Sequence, residues 1–384
     1  MSTRIIRNAI MVAVATLWAA SAAQAGSLFV MTDGLGSNEV VMYDRADDGA
    51  LSFVGAFATG GEGVGDTTEP VDALGSQGSL VLSDDGRWLL AANAGSDEIS
   101  VFQVYPQGLR LADKVGSGGS FPASIAISDG LVYVLNSGGD GNITGFRLGY
   151  DGTLRALPGS TRSLDAGGTN PPFFLVSPAQ VGFTPDGTKL VVTQKGTDEI
   201  HVFPLDHYGR PSAAPVTTES VGSTPFGFTF SRHGYLVVAE PFGSGEVGEA
   251  GASAVSSYAV ADDGALIPLA RSVDNGQTAT CWAATGGQRR FVYTTNNASD
   301  TVTGYRVRYS GRLDLLDADG IAGHTGHAPV DLALSPDGRF LYTLNAGDGT
   351  ISMFAVNPFT GALSPLGDIG GLPAEDGIVG MAVL

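Results

Sequence analysis

Hydrophobic and polar residues alternate along almost the whole chain after residue 26, and Gly or Asp-Gly repeatedly interrupts the alternation. A period of two predicts β-strands, and the short glycine-containing interruptions predict tight turns. Residues 80–93 and residues 332–345 share one pattern: an alternating strand, a Gly turn, a second apolar strand and a final Asn. A third strand, another Gly turn and a fourth strand follow each copy. Four antiparallel strands per repeat predict the blade of a β-propeller.

Two sequence markers count the blades. The second strand ends in a polar residue seven times, at Asp33, Asn93, Asn136, Gln194, Glu240, Asn296 and Asn345. The turn between the third and fourth strands contains a glycine seven times, at Gly49, Gly108, Gly152, Gly209, Gly264, Gly311 and Gly361. The two markers are 15 or 16 residues apart in six repeats and 24 apart in the fifth, which contains an insertion at residues 242–251. The sequence therefore predicts an all-β fold, a seven-bladed β-propeller of four-stranded antiparallel blades.

The two ends of the chain each supply part of one blade. Residues 28–33 have the pattern of a second strand with no first strand before it, and residues 378–384 form a first strand with nothing after it. Joining the two segments completes the seventh blade. We therefore predict one propeller domain, residues 26–384, whose ring is closed by N- and C-terminal strands.

Residues 1–25 have the pattern of a cleaved signal peptide. Arg4 and Arg7 precede an apolar run at residues 9–20, and Ala23-Gln24-Ala25 supplies the small residues that a signal peptidase requires. The apolar run is too short to span a bilayer comfortably. We predict a periplasmic or secreted protein without a membrane span.

Charge and cysteine content narrow the possible partners. The net charge is −19, from 20 Lys and Arg against 39 Asp and Glu. Such a surface repels nucleic acid and anionic membranes, so neither is a predicted partner. Cys281, the only cysteine, lies in an apolar segment that predicts a buried, unreactive thiol. A closed propeller has no need to assemble, and we predict a monomer.

Three long insertions, at residues 60–77, 160–177 and 242–251, belong to the face that also carries the seven polar strand ends. We call it the long-loop face, and the opposite face, which carries turns such as Asp85-Gly86 and Asp337-Gly338, the turn face. Scaffolds place variable loops at their binding end. The long-loop face is therefore predicted to bind a small-molecule or glycan ligand, or a partner protein.

The seven polar strand ends have two interpretations. An Asn before a Gly-containing turn can bond its own backbone, which is a structural role. A circle of oxygens around a channel mouth can instead hold a hard cation or a polyhydroxylated ligand. No cofactor is required, and bound calcium is compatible with the acidic rim. The candidate ligand-binding residues are Asp33, Asn93, Asn136, Gln194, Asn345, Asp331 and His327.

The histidines give no strong metal motif. His201 and His207 are predicted to be surface residues remote from the channel. His324 and His327 lie close together in a loop on the long-loop face, but the spacing typical of a zinc site is absent. We predict no metal site. The sequence also contains no Gly-x-Ser-x-Gly elbow, phosphate loop or paired CxxC.

Ser-Pro-Asp-Gly-Arg-Phe-Leu-Tyr at residues 335–342, the Asp-Glu-Ile-x-Val-Phe third strands at residues 97–102 and 198–203, and the seven-blade count resemble the propeller lactonase family. That family includes 6-phosphogluconolactonase and the carboxymuconate lactonizing enzymes, and the resemblance covers essentially residues 26–384. It implies a glutamate in the site, at Glu240. The family's other site positions differ: its His-Pro-His corresponds to Ser177-Pro178-Ala179, its Arg-His pair to Phe226-Gly227, and an arginine to Asn297.

The resemblance implies lactone hydrolysis at the channel mouth. Hydrolysis needs a base for water and a group that stabilises the oxyanion. Glu240 is the candidate base, and Gln180 and Asn296 are weaker candidates for polarising the carbonyl. A phosphorylated substrate needs basic residues, and only Arg162 and Lys195 are expected near the mouth, so a neutral or weakly charged lactone fits better. The alternative is a non-catalytic propeller that binds a protein or glycan, and whether the protein is an enzyme is open.

Overall fold

The computed structural model describes residues 24–65, 72–243, 249–286, 290–374 and 377–384. The predicted signal peptide, residues 1–25, lies almost wholly outside the described residues. The described chain forms seven antiparallel sheets, each with a path of four strands. This confirms the predicted seven-bladed β-propeller.

The strands are numbered in chain order, and the first blades use them consecutively. Blade 1 contains β1 (Gln24–Met31), β2 (Glu39–Ala46) and β3 (Leu51–Ala58). Blade 2 contains β4 (Leu80–Leu82), β5 (Trp88–Asn93), β6 (Glu98–Tyr105) and β7 (Gly108–Gly116). Blade 3 contains β8 (Pro122–Ser128), β9 (Leu131–Asn136), β10 (Asn142–Leu148), β11 (Leu154–Ala156) and β12 (Arg162–Ser163). Blade 4 contains β13 (Pro178–Phe183), β14 (Lys189–Gln194), β15 (Glu199–Pro204) and β16 (Val216–Glu219).

The remaining strands complete the ring. Blade 5 contains β17 (Phe228–Phe230), β18 (Leu236–Glu240), β19 (Ala254–Val260) and β20 (Leu266–Asp274). Blade 6 contains β21 (Thr280–Thr285), β22 (Phe291–Asn296), β23 (Thr301–Val307), β24 (Leu313–Leu315) and β25 (Gly323–His324). Blade 7 contains β26 (Pro329–Leu334), β27 (Phe340–Asn345), β28 (Thr350–Val356) and β29 (Leu363–Gly370). The last strand, β30 (Val379–Val383), returns to blade 1.

Strand β30 closes the ring as the sequence predicts. It pairs antiparallel with β1 and is the inner strand of blade 1. Ser27 and Leu384 exchange two backbone hydrogen bonds, of 3.2 and 2.8 Å, beside this pairing. The chain ends are therefore held in one sheet.

The hydrophobic core lies between neighbouring blades. The second strands of blades 2 to 7 are buried at every residue, because both of their faces pack against an adjacent blade. One core cluster joins Val191 and Val202 of blade 4 to Phe228 and Tyr258 of blade 5. A strand covered on both faces reads as a continuous apolar run rather than an alternating one.

Buried tyrosines fix the angle between some blades. Tyr133 of blade 3 donates its hydroxyl to the carbonyl of Gly209 in blade 4 at 2.7 Å. Tyr342 of blade 7 makes the same contact with Gly49 of blade 1 at 2.9 Å. Both acceptors are the turn glycines that count the blades in the sequence. The marker turns therefore also serve as inter-blade contacts.

The described residues contain a 3-10 turn at Lys195–Thr197. In this part of the chain, no helix has the length and apolar character needed to cross a bilayer.

His201, expected at the surface, is buried: its ring nitrogens lie 3.2 Å from Gln194 Oε1 and 2.9 Å from Thr217 Oγ1. The expectation is wrong because Gln194 and Thr217, on the two strands that flank β15 in blade 4, contact the ring.

Candidate functional site

Six of the seven polar residues end a second strand as predicted, whereas Asp33 lies two residues beyond the end of β1, and the side chains of all seven are buried. Asn345 Nδ2 donates to Thr350 Oγ1 and to Ser352 Oγ, both at 2.9 Å. Asn296 makes the equivalent bonds to residues five and seven positions later. These asparagines tie the end of the second strand to the third strand. Five of these residues are candidate ligand-binding residues, and they are only 0–2 % exposed: Asp33, Asn93, Asn136, Gln194 and Asn345. Ligand binding by them stays a prediction.

Glu240 is enclosed in blade 5. Its side chain is 0 % exposed, Oε1 accepts the Gly222 backbone N–H at 3.0 Å, and Oε2 accepts the Ser272 hydroxyl at 2.9 Å. Burial raises the pKa of Glu240, while hydrogen bonds from Ser256, Ser272 and Gly222 lower it. Both carboxylate oxygens are thus engaged by the protein.

Part of the first long insertion, residues 74–78, crosses the channel at the long-loop face, and we call it the plug segment. Gln77 leads into blade 2, yet its side chain pairs with Ala283 of blade 6. The Ala283 N–H donates to Oε1 at 3.0 Å, and Nε2 donates to the Ala283 carbonyl at 2.8 Å. Trp282 Nε1 donates to the Ser76 carbonyl at 2.9 Å. Blades 2 and 6 face each other across the ring, so the plug segment spans the channel.

Side chains also connect inner strands that are too far apart to pair. The Phe228 N–H of blade 5 donates to Gln180 Oε1 of blade 4 at 2.6 Å. The Met381 N–H of β30 donates to Asp331 Oδ2 of blade 7 at 2.9 Å. An inner strand is a sheet edge, and its backbone groups need partners. Gln180 and Asp331 supply such partners at the channel wall.

Two buried residues of opposite charge, Asp72 and Lys195, each hydrogen-bond the plug segment. Asp72 accepts the backbone N–H groups of Leu74, Gly75 and Ser76 at 2.9–3.2 Å. Lys195 is 2 % exposed, and Nζ donates to the Gly75 carbonyl. Burial raises the pKa of Asp72 and lowers the pKa of Lys195, and the attraction between the two charges opposes both shifts.

Cys281, predicted to be buried, is half-buried and lies near Asp72 and Lys195. Burial raises the pKa of its thiol, with the Asp72 carboxylate as the next cause. The thiolate is therefore scarcely populated at neutral pH, in agreement with the predicted unreactive thiol. Asp72 and Lys195 therefore hold the plug segment in position, and Cys281 does not supply a nucleophile.

Two long insertions build a groove on the long-loop face, with a cavity volume of about 550 Å³. We call it the long-loop groove, and residues 62–64, 73 and 169–174 form much of its wall. Leu35 and Phe173 line it and are 80 % and 45 % exposed. Its charged lining residues in the described chain are Glu62 and Asp97. Two loop stretches lie outside the described residues: residues 66–71 of the first insertion and residues 244–248 of the third insertion.

A second cavity, the central channel cavity, occupies the ring axis and has a volume of about 680 Å³. Gln77 and Gly78 line its end near the plug segment, and Asp84, Pro185 and Pro336 line its end at the turn face. Gln180 and Asp331 are in its wall. Burial raises the pKa of Asp331 to about 7.

The histidines on the long-loop face do not form a metal cluster in the described chain. His324 lies on β25 and is exposed. His327 is exposed, and its Nδ1 lies 3.3 Å from both carboxylate oxygens of Asp300. Across the described ranges, no group of three His, Cys, Asp or Glu side chains could hold a metal ion. Calcium binding stays a prediction.

The predicted catalytic residues are not brought together. Gln180 lies in the wall of the channel, whereas Glu240 and Asn296 are buried in blades 5 and 6. Arg162 is half-buried, and its guanidinium donates to the carbonyls of Ser212 and Pro211. The sequence interpretation missed the plug segment and the long-loop groove. An Asp72-x-x-Gly75 turn signal marks the plug segment in the sequence, but nothing local shows that it crosses the channel.

Comparison with known proteins agrees with this architecture. The family model described as "Lactonase, 7-bladed beta-propeller" matches residues 34–163 and 177–373. Among curated proteins, none matches this sequence.

Solved structures share the fold over nearly the whole chain. A Bacteroides fragilis protein described as a "putative 6-phosphogluconolactonase" has a TM-score of 0.72 and 19% identity, covering 95% of this chain and 99% of that one. The Pseudomonas aeruginosa periplasmic gluconolactonase PpgL has a TM-score of 0.69 and 20% identity, covering 94% and 99%. A Lactobacillus plantarum protein has a TM-score of 0.71 and 21% identity, covering 94% and 99%.

Proposed function

Because the chain belongs to the Lactonase family of seven-bladed β-propellers, we propose that it is a binding member of this family, whose long-loop groove takes a segment of a partner protein. We further propose that Glu240 has a structural role. The environment of Glu240 supports this most strongly: the carboxylate is 0 % exposed and each oxygen accepts a hydrogen bond from the protein. A general base must instead reach the water that it activates.

The plug segment supports the same proposal. The family's Arg-His pair corresponds to Phe226-Gly227 in this chain. A Cβ at Gly227 would lie 2.1 Å from Gln77 Oε1, and the Phe226 ring lies 4.6 Å from Lys195 Nζ. A larger side chain at residue 227 and the plug segment would therefore compete for the same space. In this chain the space is taken by the plug segment.

The long-loop groove indicates the chemistry of the partner. Leu35 and Phe173 present apolar surface to solvent, and aromatic residues with such exposure are typical of binding surfaces. Glu62 and Asp97 add negative charge, and no Lys or Arg of the described chain lines the groove. Charge complementarity favours a peptide segment that carries both apolar and basic side chains.

Synthetic peptides can test the binding proposal. We expect a basic, aromatic-rich 12-residue peptide to bind the wild type, and the Leu35→Ser, Phe173→Ser double variant to bind it at least about tenfold more weakly. Phe359→Ser is the matched control, because Phe359 is 80 % exposed but lies between β28 and β29 at the turn face. Equal binding of an acidic counterpart peptide, or equal loss in the control variant, would contradict the proposal. A glycan that binds in place of the peptide would also contradict it.

Lactone hydrolysis is the second candidate function, and the fold shared with a periplasmic gluconolactonase favours it. The substrate would be a small neutral or weakly charged lactone, since Lys195 donates to the Gly75 carbonyl and Arg162 to the carbonyls of Ser212 and Pro211. A panel of lactones, with wild type beside Glu240→Gln, separates the two functions. Turnover that is lost in Glu240→Gln would contradict the binding proposal. We expect no turnover by a wild-type protein that shows a cooperative melt.

We also propose export to the periplasm or outside the cell. The sequence of residues 1–25 supports it, as does the fold shared with the periplasmic Pseudomonas protein. Mass spectrometry of the protein from its own host is expected to find an N-terminus at Gly26. An intact N-terminus in the cytoplasmic fraction would contradict export.

A further inference from the structure

The central channel cavity is separate from the long-loop groove and has its own opening. The plug segment lies at one end of it, and its other end reaches the turn face beside Asp84 and Pro336. Its volume of about 680 Å³ is within the range of small-molecule pockets, roughly 300–1,000 Å³. A pocket closed at one end can hold a ligand that an open channel would let pass.

The wall of the cavity offers many polar groups of both kinds. Each blade contributes an inner strand that is the edge of its sheet, so backbone N–H and C=O groups of that strand have no ladder partner on the channel side. Ser128, Gln180 and Thr229 add side chains that can donate and accept. Apolar side chains such as Phe183 and Phe230 lie between these polar groups.

The charge of the wall limits the ligand further. Among the described residues that line the cavity, the acidic side chains are Asp84 and Asp331, and neither Lys, Arg nor His is present. Carboxylates repel an anion, and recognition of a phosphate relies on basic side chains. A hydroxyl-rich neutral molecule matches donors and acceptors in all directions, and its C–H groups match the apolar residues.

We infer that the central channel cavity is a binding site, entered from the turn face, for a neutral polyhydroxylated molecule of about monosaccharide size. The site is independent of the proposed function, because it lies on the other side of the plug segment from the long-loop groove. It requires no catalytic residue.

Ligand-observed NMR on the full mature chain tests this site with D-glucose and myo-inositol as probes and glucose 6-phosphate as the charged comparator. We expect saturation transfer to a neutral probe with millimolar affinity, and at least about tenfold weaker binding of the phosphate. Thr229→Trp fills the cavity and should abolish binding. Thr188→Trp adds the same side chain at an exposed turn-face position outside the cavity lining and should leave binding unchanged.

Ser128→Trp is the second blocking variant, used if Thr229→Trp does not melt cooperatively. Absence of saturation transfer to both neutral probes would overturn the inference and leave a channel filled with water. Equal binding of the phosphate, or binding that persists in the folded blocking variant, would overturn it as well.

Discussion

Buried carboxyl groups surround the inner end of the channel, and their environment differs from that of the surface acids. Asp33, Asp72 and Asp331 are each less than a tenth exposed, and burial raises the pKa of all three. Asp72 has Lys195 as a counter-ion. Asp331 forms no ion pair with any described residue, and its oxygens accept the N–H groups of Leu332 and Met381 instead.

Asp331→Asn is expected to stabilise the protein at pH 8. The folded-state pKa of about 7 lies above the ordinary value, so the folded state binds more protons than the unfolded state between those two values. The free energy of unfolding therefore falls as pH rises through this window, and the cost of ionising Asp331 is fully present above it. Asn keeps an oxygen acceptor for Met381 and carries no charge. The gain should be about 1–4 kcal/mol.

Thermal unfolding of both proteins from pH 4 to pH 8 measures this effect. The difference between variant and wild type should grow with pH and be small at pH 4. Asp72 also has a raised pKa, so it contributes to the pH dependence of stability in both proteins. The difference in stability between the two proteins is therefore more informative than the pH dependence of either one. A variant that is equally destabilised at every pH would show that the acceptor geometry, not ionisation, determines the effect.

At the scale of elements, the plug segment replaces the backbone pairing that inner strands of opposite blades cannot form. The Gln77 side-chain amide has one donor and one acceptor aligned with Ala283, as in a β-bridge. Asp72 and Lys195 fix the segment before it reaches Gln77. An interaction of this kind joins distant parts of a fold in which each blade otherwise contacts only its neighbours.

Gln77→Ala is expected to lower stability by about 1–3 kcal/mol, because it leaves the Ala283 N–H and carbonyl without their partners. Chemical denaturation measures the change. Gln103→Ala is the control, since the Gln103 side chain hydrogen-bonds only the side chains of Tyr105 and Arg110 in the described structure, and these bonds are exposed. Equal stability of Gln77→Ala and wild type would mean that channel water hydrogen-bonds the Ala283 N–H and carbonyl, and that the contact between Gln77 and Ala283 contributes little to stability.

At the scale of the whole molecule, the ring presents two openings with different chemistry. The long-loop face carries an open groove with apolar and acidic walls. The turn face leads into a polar cavity that ends at the plug segment. Because the plug segment separates the two, changes on one face should leave binding at the other unchanged. Both sites lack basic lining residues in the described chain, which fits the acidic composition of the protein.

Residue pattern and spacing alone determined the architecture. Six of the seven predicted polar strand ends, the seven turn glycines and the blade shared by the two chain ends correspond to observed strand ends, turns and strand pairings, whereas Asp33 lies two residues beyond β1. The family resemblance pointed to the same fold. These features are accessible because a blade is built from contiguous residues, so its signals lie close together in sequence.

The tertiary structure alone decided what surrounds each candidate residue. Glu240 looked like a residue at the channel mouth, but contacts with Gly222 and Ser272 enclose it. Gln77 looked like an ordinary loop residue, but it bonds Ala283 more than 200 positions away. Burial and hydrogen-bond partners of this kind arise from segments that meet only when the ring closes, and no local pattern encodes which side chain then fills the channel.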